Sequence, residues 1–256
     1  MFFDSHAHYD DKRFDTDREA LLESMQQKKV SYILNAASNT DSSLQGINLA
    51  KEYDFVYASV GVHPHDAAEI TEETMQVLEE YIKQPKVVAV GEIGLDYYYD
   101  YSPRDVQQYW FRRQIQLARD VKKPIIIHMR DATQDTMNIV MEEKAFEVGG
   151  VFHCYSGSLE IAKQILQMGM YISIAGPITF KNATKAVEVV KAVPMDRLLI
   201  ETDAPYLTPA PYRGKRNDSS FIHYTAQKVA DIKGISIEEV AKQTMQNTFS
   251  LFGIKR

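Results

Sequence analysis

Along the chain, short runs of apolar and β-branched residues alternate with longer stretches in which apolar positions recur at helical spacing. That is the pattern of repeated βα units around a parallel sheet. Eight strand-like runs stand out: 1–5, VSYILN at 30–35, FVYASVG at 55–61, KVVAV at 86–90, PIIIH at 124–128, VGGVF at 148–152, MYISI at 170–174 and RLLIE at 197–201. Between them the spacing predicts helices over 17–28, 41–52, 71–83, 104–121, 132–143, 157–168 and 182–191, and two more follow over 219–232 and 236–251. Local signals mark several ends. Thr71 is an N-cap ahead of EETMQVLEEYI with Thr74 in the first turn, and Ser102-Pro103 opens the helix carrying Trp110. Ser236 with Glu239 forms a capping box, and Pro124 and Pro194 stop the helices they follow.

Eight strands joined by helices in 256 residues predict a single (β/α)8 TIM barrel with extra C-terminal helices, in preference to an open doubly wound sheet, because no GxGxxG follows the first strand. No linker, charge run or low-complexity segment divides the chain, so residues 1–256 read as one domain.

Composition narrows the chemistry. Hydrophobic residues at 45% and charged residues at 25% are ordinary for a folded soluble protein, and no stretch approaches the roughly 20 apolar residues of a membrane span. The start of the chain, MFFD, has neither a basic nor an apolar leader region, so the expectation is a cytoplasmic protein, with a monomer as the favoured state. The single cysteine, Cys154, excludes an intramolecular disulfide and a thiolate zinc site, which leaves His, Asp and Glu as metal ligands. A net charge of -6 argues against coating nucleic acid through overall positive charge. A local phosphate site stays open, since Arg213, Lys215 and Arg216 crowd into YRGKRN.

The functional face of a barrel is the C-terminal end of its strands. The predicted strands end in DSHAH (His6, His8), GVHPH (His63, His65), GEIGLD (Glu92, Asp96), IIIHMRD (His128, Arg130), GVFHC (His153) and IETDAP (Glu201, Asp203), so six of the seven histidines lie at such ends. One histidine there would be unremarkable. Together, His6, His8, Glu92, His128, His153 and Asp203 would converge on one mouth, where imidazoles and carboxylates repel or desolvate one another unless a divalent cation lies among them. Four imidazoles and two carboxylates exceed the about three protein ligands of a single open catalytic metal, so two metals are expected. Two ions roughly 3.5–4 Å apart are a known device for activating a shared water and clamping both oxygens of an in-line displacement.

These motifs resemble the TatD family of metal-dependent hydrolases, within the wider amidohydrolase-type barrels. The resemblance runs through the whole chain: DSHAHYD, VGVHPH, GEIGLDYY, IIIHMRDA, GVFHCYSG, ISIAGPITFKN, LLIETDAPYLTP and YRGKRN. It implies a (β/α)8 barrel, a site for two divalent cations and phosphodiester hydrolysis on DNA, commonly with magnesium. It further implies one metal on His6, His8 and Asp203, another on His128 and His153, and Glu92 between them. One departure is that family members usually read RGKRNEP where this chain has RGKRNDSS at 213–220.

Glu92 suits bridging because a carboxylate has two oxygens, and Asp203 suits accepting a proton from an attacking water. His63 is expected to contact substrate phosphate or orient a ligand. For Arg130 the readings are bidentate phosphate binding or an ion pair with Asp131 or Asp135. Asp96 is a candidate to support a metal ligand, Glu201 to do so or to be a core carboxylate, and Cys154 to be buried apolar filler facing the helices. His65 reads as exposed. In LDYYYDY the tyrosines either stack bases or pack over the rim, and Arg213 and Lys215 either meet a nucleic-acid backbone or are simply solvated. Mg2+ or Mn2+ is expected in catalysis, with Zn2+ and Ni2+ also compatible with His-carboxylate ligands.

The leading expectation is thus a DNase trimming single-stranded or end-frayed DNA from an end. A small-molecule amidohydrolase opening a cyclic amide, lactone or ester is the second. A barrel scaffold without catalysis is the third, and the full ligand set argues against it.

Overall fold

The protein is described from a computed structural model, which describes residues 1–255. Eight strands occur in sheet order: β1 (Phe2–Ala7), β2 (Val30–Asn35), β3 (Val56–Val60), β4 (Val87–Asp96), β5 (Ile125–Arg130), β6 (Gly150–Phe152), β7 (Tyr171–Ile174) and β8 (Leu198–Ile200). Helices fill the connections: α1 (Arg18–Glu23), α2 (Thr40–Glu52), α3 (Glu72–Tyr81), α4 (Arg104–Val121), α5 (Thr133–Glu142), α6 (Leu159–Gln167) and α7 (Thr184–Ala192), followed by α8 (Ile222–Lys233) and α9 (Ile237–Phe252). Parallel strands in sequential order with helical crossovers are the topology of a (β/α)8 barrel.

The chain divides into two compact units, one of Met1–Asn35 with Cys154–Ser250, the other of Ala36–His153 with Leu251–Ile254. In the first, β1 pairs with β2 and β7 with β8, all parallel, and a bridge from Ala7 to Ala204 ties β1 to the segment after β8. Its core includes Phe3 packed against Tyr32 and Phe249, and Tyr9 stacked on Phe14. In the second unit, β4 pairs with β3 and β5, and β5 with β6. Ile93, Leu95, Phe111, Ile115 and Ile125–Ile127 are fully or almost fully buried there. Strands buried on both faces read as continuous apolar runs, which is why KVVAV and PIIIH show no alternation.

Helix starts follow their caps. Thr71 and Thr74 form a reciprocal capping box on α3, and Ser236 with Glu239 does the same at the start of α9. Ser102 departs from expectation: the N-cap of α4 is Pro103, while the Ser102 hydroxyl donates to His65 O (2.8 Å) and accepts from Ala68 N (2.9 Å). The predicted helix over 17–28 shortens to six residues at α1.

The largest boundary difference is β4, which continues past residue 90 to Asp96. Two glycines allow it, through register shifts between Val90 and Ile93 and a backbone at φ +147 at Gly94. A Cβ at Gly94 would lie 2.0 Å from His128 O, so only glycine permits this approach of β4 to β5. Gly169, at φ +75 with open space around it, needs glycine for its dihedral alone. Gly169→Ala should therefore cost about 1 kcal/mol in urea unfolding, and Gly94→Ala more than about 3 kcal/mol or the fold itself. Equal losses would show that contact with β5 is not what Gly94 serves.

Candidate metal centres

In the first unit, alternation along β1 turns His6 and His8 to one side and the fully buried Ala7 to the other. Asp203 N donates to His6 O (2.9 Å) and His8 N to Ala204 O (2.7 Å). This backbone pairing carries Asp203 Oδ1 to 3.3 Å from His8 Nε2 and 3.7 Å from His6 Nε2, with the two imidazole nitrogens 3.1 Å apart. Asp203 adopts φ 57, a left-handed conformation that costs an L-residue energy and persists only where its surroundings impose it.

Those surroundings centre on buried Asp4. Its Oδ1 accepts from Thr202 N (2.9 Å), and its Oδ2 accepts from Thr202 Oγ1 (2.5 Å) and Ser219 Oγ (2.6 Å). Burial pushes the Asp4 carboxyl up to about 7 against these bonds. Asn217 donates to Thr202 O (2.9 Å) and Tyr206 O (2.7 Å), so it grips both sides of Asp203. The departure after Asn217 thus has a structural role: Ser219, with Asn217, braces the Asp203 segment, and Asp218 caps the turn by accepting from Ser220 N. Glu201 is buried and accepts from Cys154 N (2.7 Å). Cys154 is half-buried at φ 42, because β6 stops at Phe152 and strand alternation does not reach it. The expectation of buried apolar filler is corrected accordingly.

In the second unit, β4 and β5 pair Gly94 with His128, and His153 N donates to Ile127 O (3.1 Å). Glu92 Oε1 lies 2.7 Å from His128 Nδ1 and 2.6 Å from His153 Nε2, and the two imidazole nitrogens are 3.3 Å apart. His63 Nε2 is 3.6 Å from the same oxygen, so the structure brings His63 to a cluster that ligand counting from sequence had filled without it. The signal was present in GVHPH at the end of β3.

Behind this cluster stands Asp96, fully buried, whose Oδ2 is 3.0 Å from both His128 Nε2 and His65 Nε2. It holds His128 in place, and His65 is held rather than simply exposed. Burial works against the Asp96 anion, but hydrogen bonds from His128, His65 and Tyr99 N outweigh it and hold the carboxyl far below the usual range. For His128 burial opposes protonation, and the bonds to Asp96 and Glu92 overcome it, raising the pKa. His63 is lowered, first by burial and then by His128, and stays neutral.

Both clusters fit divalent cations. His128 Nε2 meets Asp96 and its Nδ1 faces Glu92 Oε1, as does His153 Nε2. A cation can take the place of the proton at such contacts, and imidazole with carboxylate is the donor set of Zn2+, Mn2+ and related ions. The ligand atoms of His6, His8 and Asp203 all lie within 4.8 Å of one another, as do those of His63, Glu92 and His128.

Of the substrate candidates, Arg130 is exposed and lies over the Tyr98 and Tyr99 rings (4.1 and 4.7 Å), while Asp135 is engaged by Tyr97 and Gln108. Arg213 lies over Phe180 (4.4 Å) and Lys215 over Tyr212 (5.5 Å), both exposed. Arg216 is instead paired with Asp17 (2.6 Å).

A Bacillus subtilis protein named uncharacterized metal-dependent hydrolase YabD is 48% identical, across 99% of this chain and 100% of the relative. An Erwinia amylovora protein named 3'-5' ssDNA/RNA exonuclease TatD is 32% identical over 98% of this chain and 100% of its own. The crystal structure of YjjV, a TatD homolog from Escherichia coli K12, superposes with a TM-score of 0.93 at 30% identity, covering 99% of this chain and 98% of that one. That likeness confirms the (β/α)8 barrel. The family described as TatD related DNase matches residues 3–253, and the chain belongs to this TatD family of metal-dependent hydrolases.

Proposed function

We propose that the protein hydrolyses phosphodiester bonds of DNA, removing nucleotides from an end of a single or frayed strand, with two divalent cations. One would be held by His6, His8 and Asp203, the other by Glu92, His128 and His153. The observation that carries this reading is the crowding of imidazole nitrogens around Glu92 Oε1, which asks for a cation. The name of the Erwinia relative supports a nucleic-acid strand as substrate.

When bound, such cations polarise a phosphoryl oxygen and lower the pKa of water to near neutrality. The chain's residues supply the rest. As water adds to phosphorus and the bond to the leaving oxygen breaks, Asp203 accepts the proton water gives up. His63, neutral because it is buried, would donate a hydrogen bond to a phosphate oxygen or orient Glu92. Arg130 offers a planar guanidinium to phosphate, and Arg213 and Lys215 offer charge to the strand backbone.

Three measurements test this reading. End-labelled single-stranded DNA should shorten with Mg2+ or Mn2+, stay intact in EDTA, and be cut at least about a thousandfold more slowly by Glu92→Ala. DNA untouched under every metal, or degraded equally by the variant, would exclude the nuclease. Titration with Mn2+ should reach two ions per chain, and His6→Ala should bind one fewer while keeping its circular dichroism. A wild-type endpoint of a single ion would remove the two-metal assignment. Asp96→Asn should weaken Mn2+ binding about 10–100-fold, since Asp96 fixes the orientation of His128. Unchanged affinity would deny Asp96 that part.

A further inference from the structure

The turn between β4 and α4 carries four tyrosines, Tyr97, Tyr98, Tyr99 and Tyr101, and the structure separates them. Tyr97 is structural: its hydroxyl donates to Asp135 (2.8 Å), and the Arg104 guanidinium lies 4.4 Å from its ring centre. The other three face solvent, with Tyr98 at 58%, Tyr99 at 44% and Tyr101 at 67% exposure. Tyr99 and Tyr101 stack with ring centres 5.3 Å apart and planes 26° from parallel. His65 meets both edge-on at 5.2 and 4.9 Å, and Arg130 covers Tyr98 and Tyr99.

This aromatic surface is firmly held. Asp96 Oδ1 accepts from Tyr98 N (3.0 Å) and Tyr99 N (2.9 Å), while Gln107 on α4 accepts from Asp96 N and donates to Asp96 O. It also adjoins the chemistry. The same Asp96 carboxylate binds His65 and His128 through Oδ2, and His128 contacts Glu92, so one carboxylate separates the tyrosine turn from a candidate metal ligand.

We infer that Tyr98, Tyr99 and Tyr101, with Arg130, form a stacking platform for the nucleobases of a single strand next to the phosphate being cleaved. Exposed π-faces tolerate any base, and a guanidinium lying on them adds a cation for the polyanion or a flat partner for a further base. A protein or lipid partner would not call for a lone cation beside flat rings next to a hydrolytic centre. The inference rests on the nucleic-acid reading proposed above and names how that strand is gripped.

The test uses the metal-loaded protein with two strands of equal length, one of thymidines and one with abasic tetrahydrofuran in place of every nucleoside. Wild type should show a KM about ten- to a hundred-fold lower for the thymidine strand. Tyr99→Ala and Tyr101→Ala should erase most of that preference, and Tyr99→Trp should retain it. Equal KM for the two strands in wild type, or a preference undiminished in both alanine variants, would overturn the platform. If wild type cuts neither strand, the nuclease reading has failed and binding decides the platform separately. Fluorescence anisotropy should then show the thymidine strand bound more tightly than the abasic strand by wild type and not by Tyr99→Ala. Equal affinities would overturn it.

Discussion

Imidazole nitrogens and carboxylate oxygens held in close clusters are the constraint on which these strand ends depend. Glu92 Oε1 faces two imidazole nitrogens at 2.6 and 2.7 Å, and His6 faces His8 at 3.1 Å. Side chains free to move would lose this clustering to conformational entropy, so the backbone must hold them. In the first unit the pairing of Ala7 with Ala204 does so, and in the second the ladder of β4, β5 and β6 does. Gly94 belongs to this holding: its missing Cβ lets β4 approach the His128 carbonyl. The left-handed backbone at Asp203 is a further cost of bringing a carboxylate to the two histidines, and the bonds of Asp4, Asn217 and Ser219 offset it.

Asp96 shows how one buried anion serves several ends. Its two oxygens divide the work, Oδ2 orienting a pair of imidazoles and Oδ1 closing the tyrosine turn. A buried carboxylate with so many donors keeps its charge despite desolvation, and that charge selects which nitrogen of His128 faces Glu92. The orientation of His128 and the shape of the turn are therefore not independent. A change to either reaches the other through a rigid, fully satisfied group.

Much of this was legible in the sequence. Apolar runs marked all eight strands, and residues at their ends named both clusters, because strand ends collect function in a barrel whatever the details between. The capping boxes at Thr71 and Ser236 were equally local and equally readable. What stayed hidden was non-local. The extension of β4 depends on contact between Gly94 and β5, invisible in a run of mixed residues after Val90. Asp96 was readable as support for a ligand, but not as one group serving two histidines and the tyrosine turn at once. His63 looked superfluous by ligand count, yet its turn returns it to Glu92. Four tyrosines within five residues gave no hint that Tyr97 turns to Asp135 while the others stay outside.

Net charge sharpens how a polyanion would be held. Much of the arginine charge is already spent within the fold: Arg112 on Glu142 and Glu143, Arg113 on Glu72, Arg119 on Glu147, Arg216 on Asp17. A chain with a net charge of -6 and these arginines paired projects little long-range attraction. Arg130, Arg213 and Lys215 lie instead on aromatic rings, exposed. A cation resting on a ring keeps its charge available to an anion while its stem is ordered, so less entropy is lost when phosphate arrives. On the proposed reading, the strand is gripped at short range, in the second unit by the tyrosine rings with Arg130 ordered on them. Such a grip recognises a local stretch of strand, as an enzyme working from an end requires, and has no need of the broad positive face by which proteins coat a duplex.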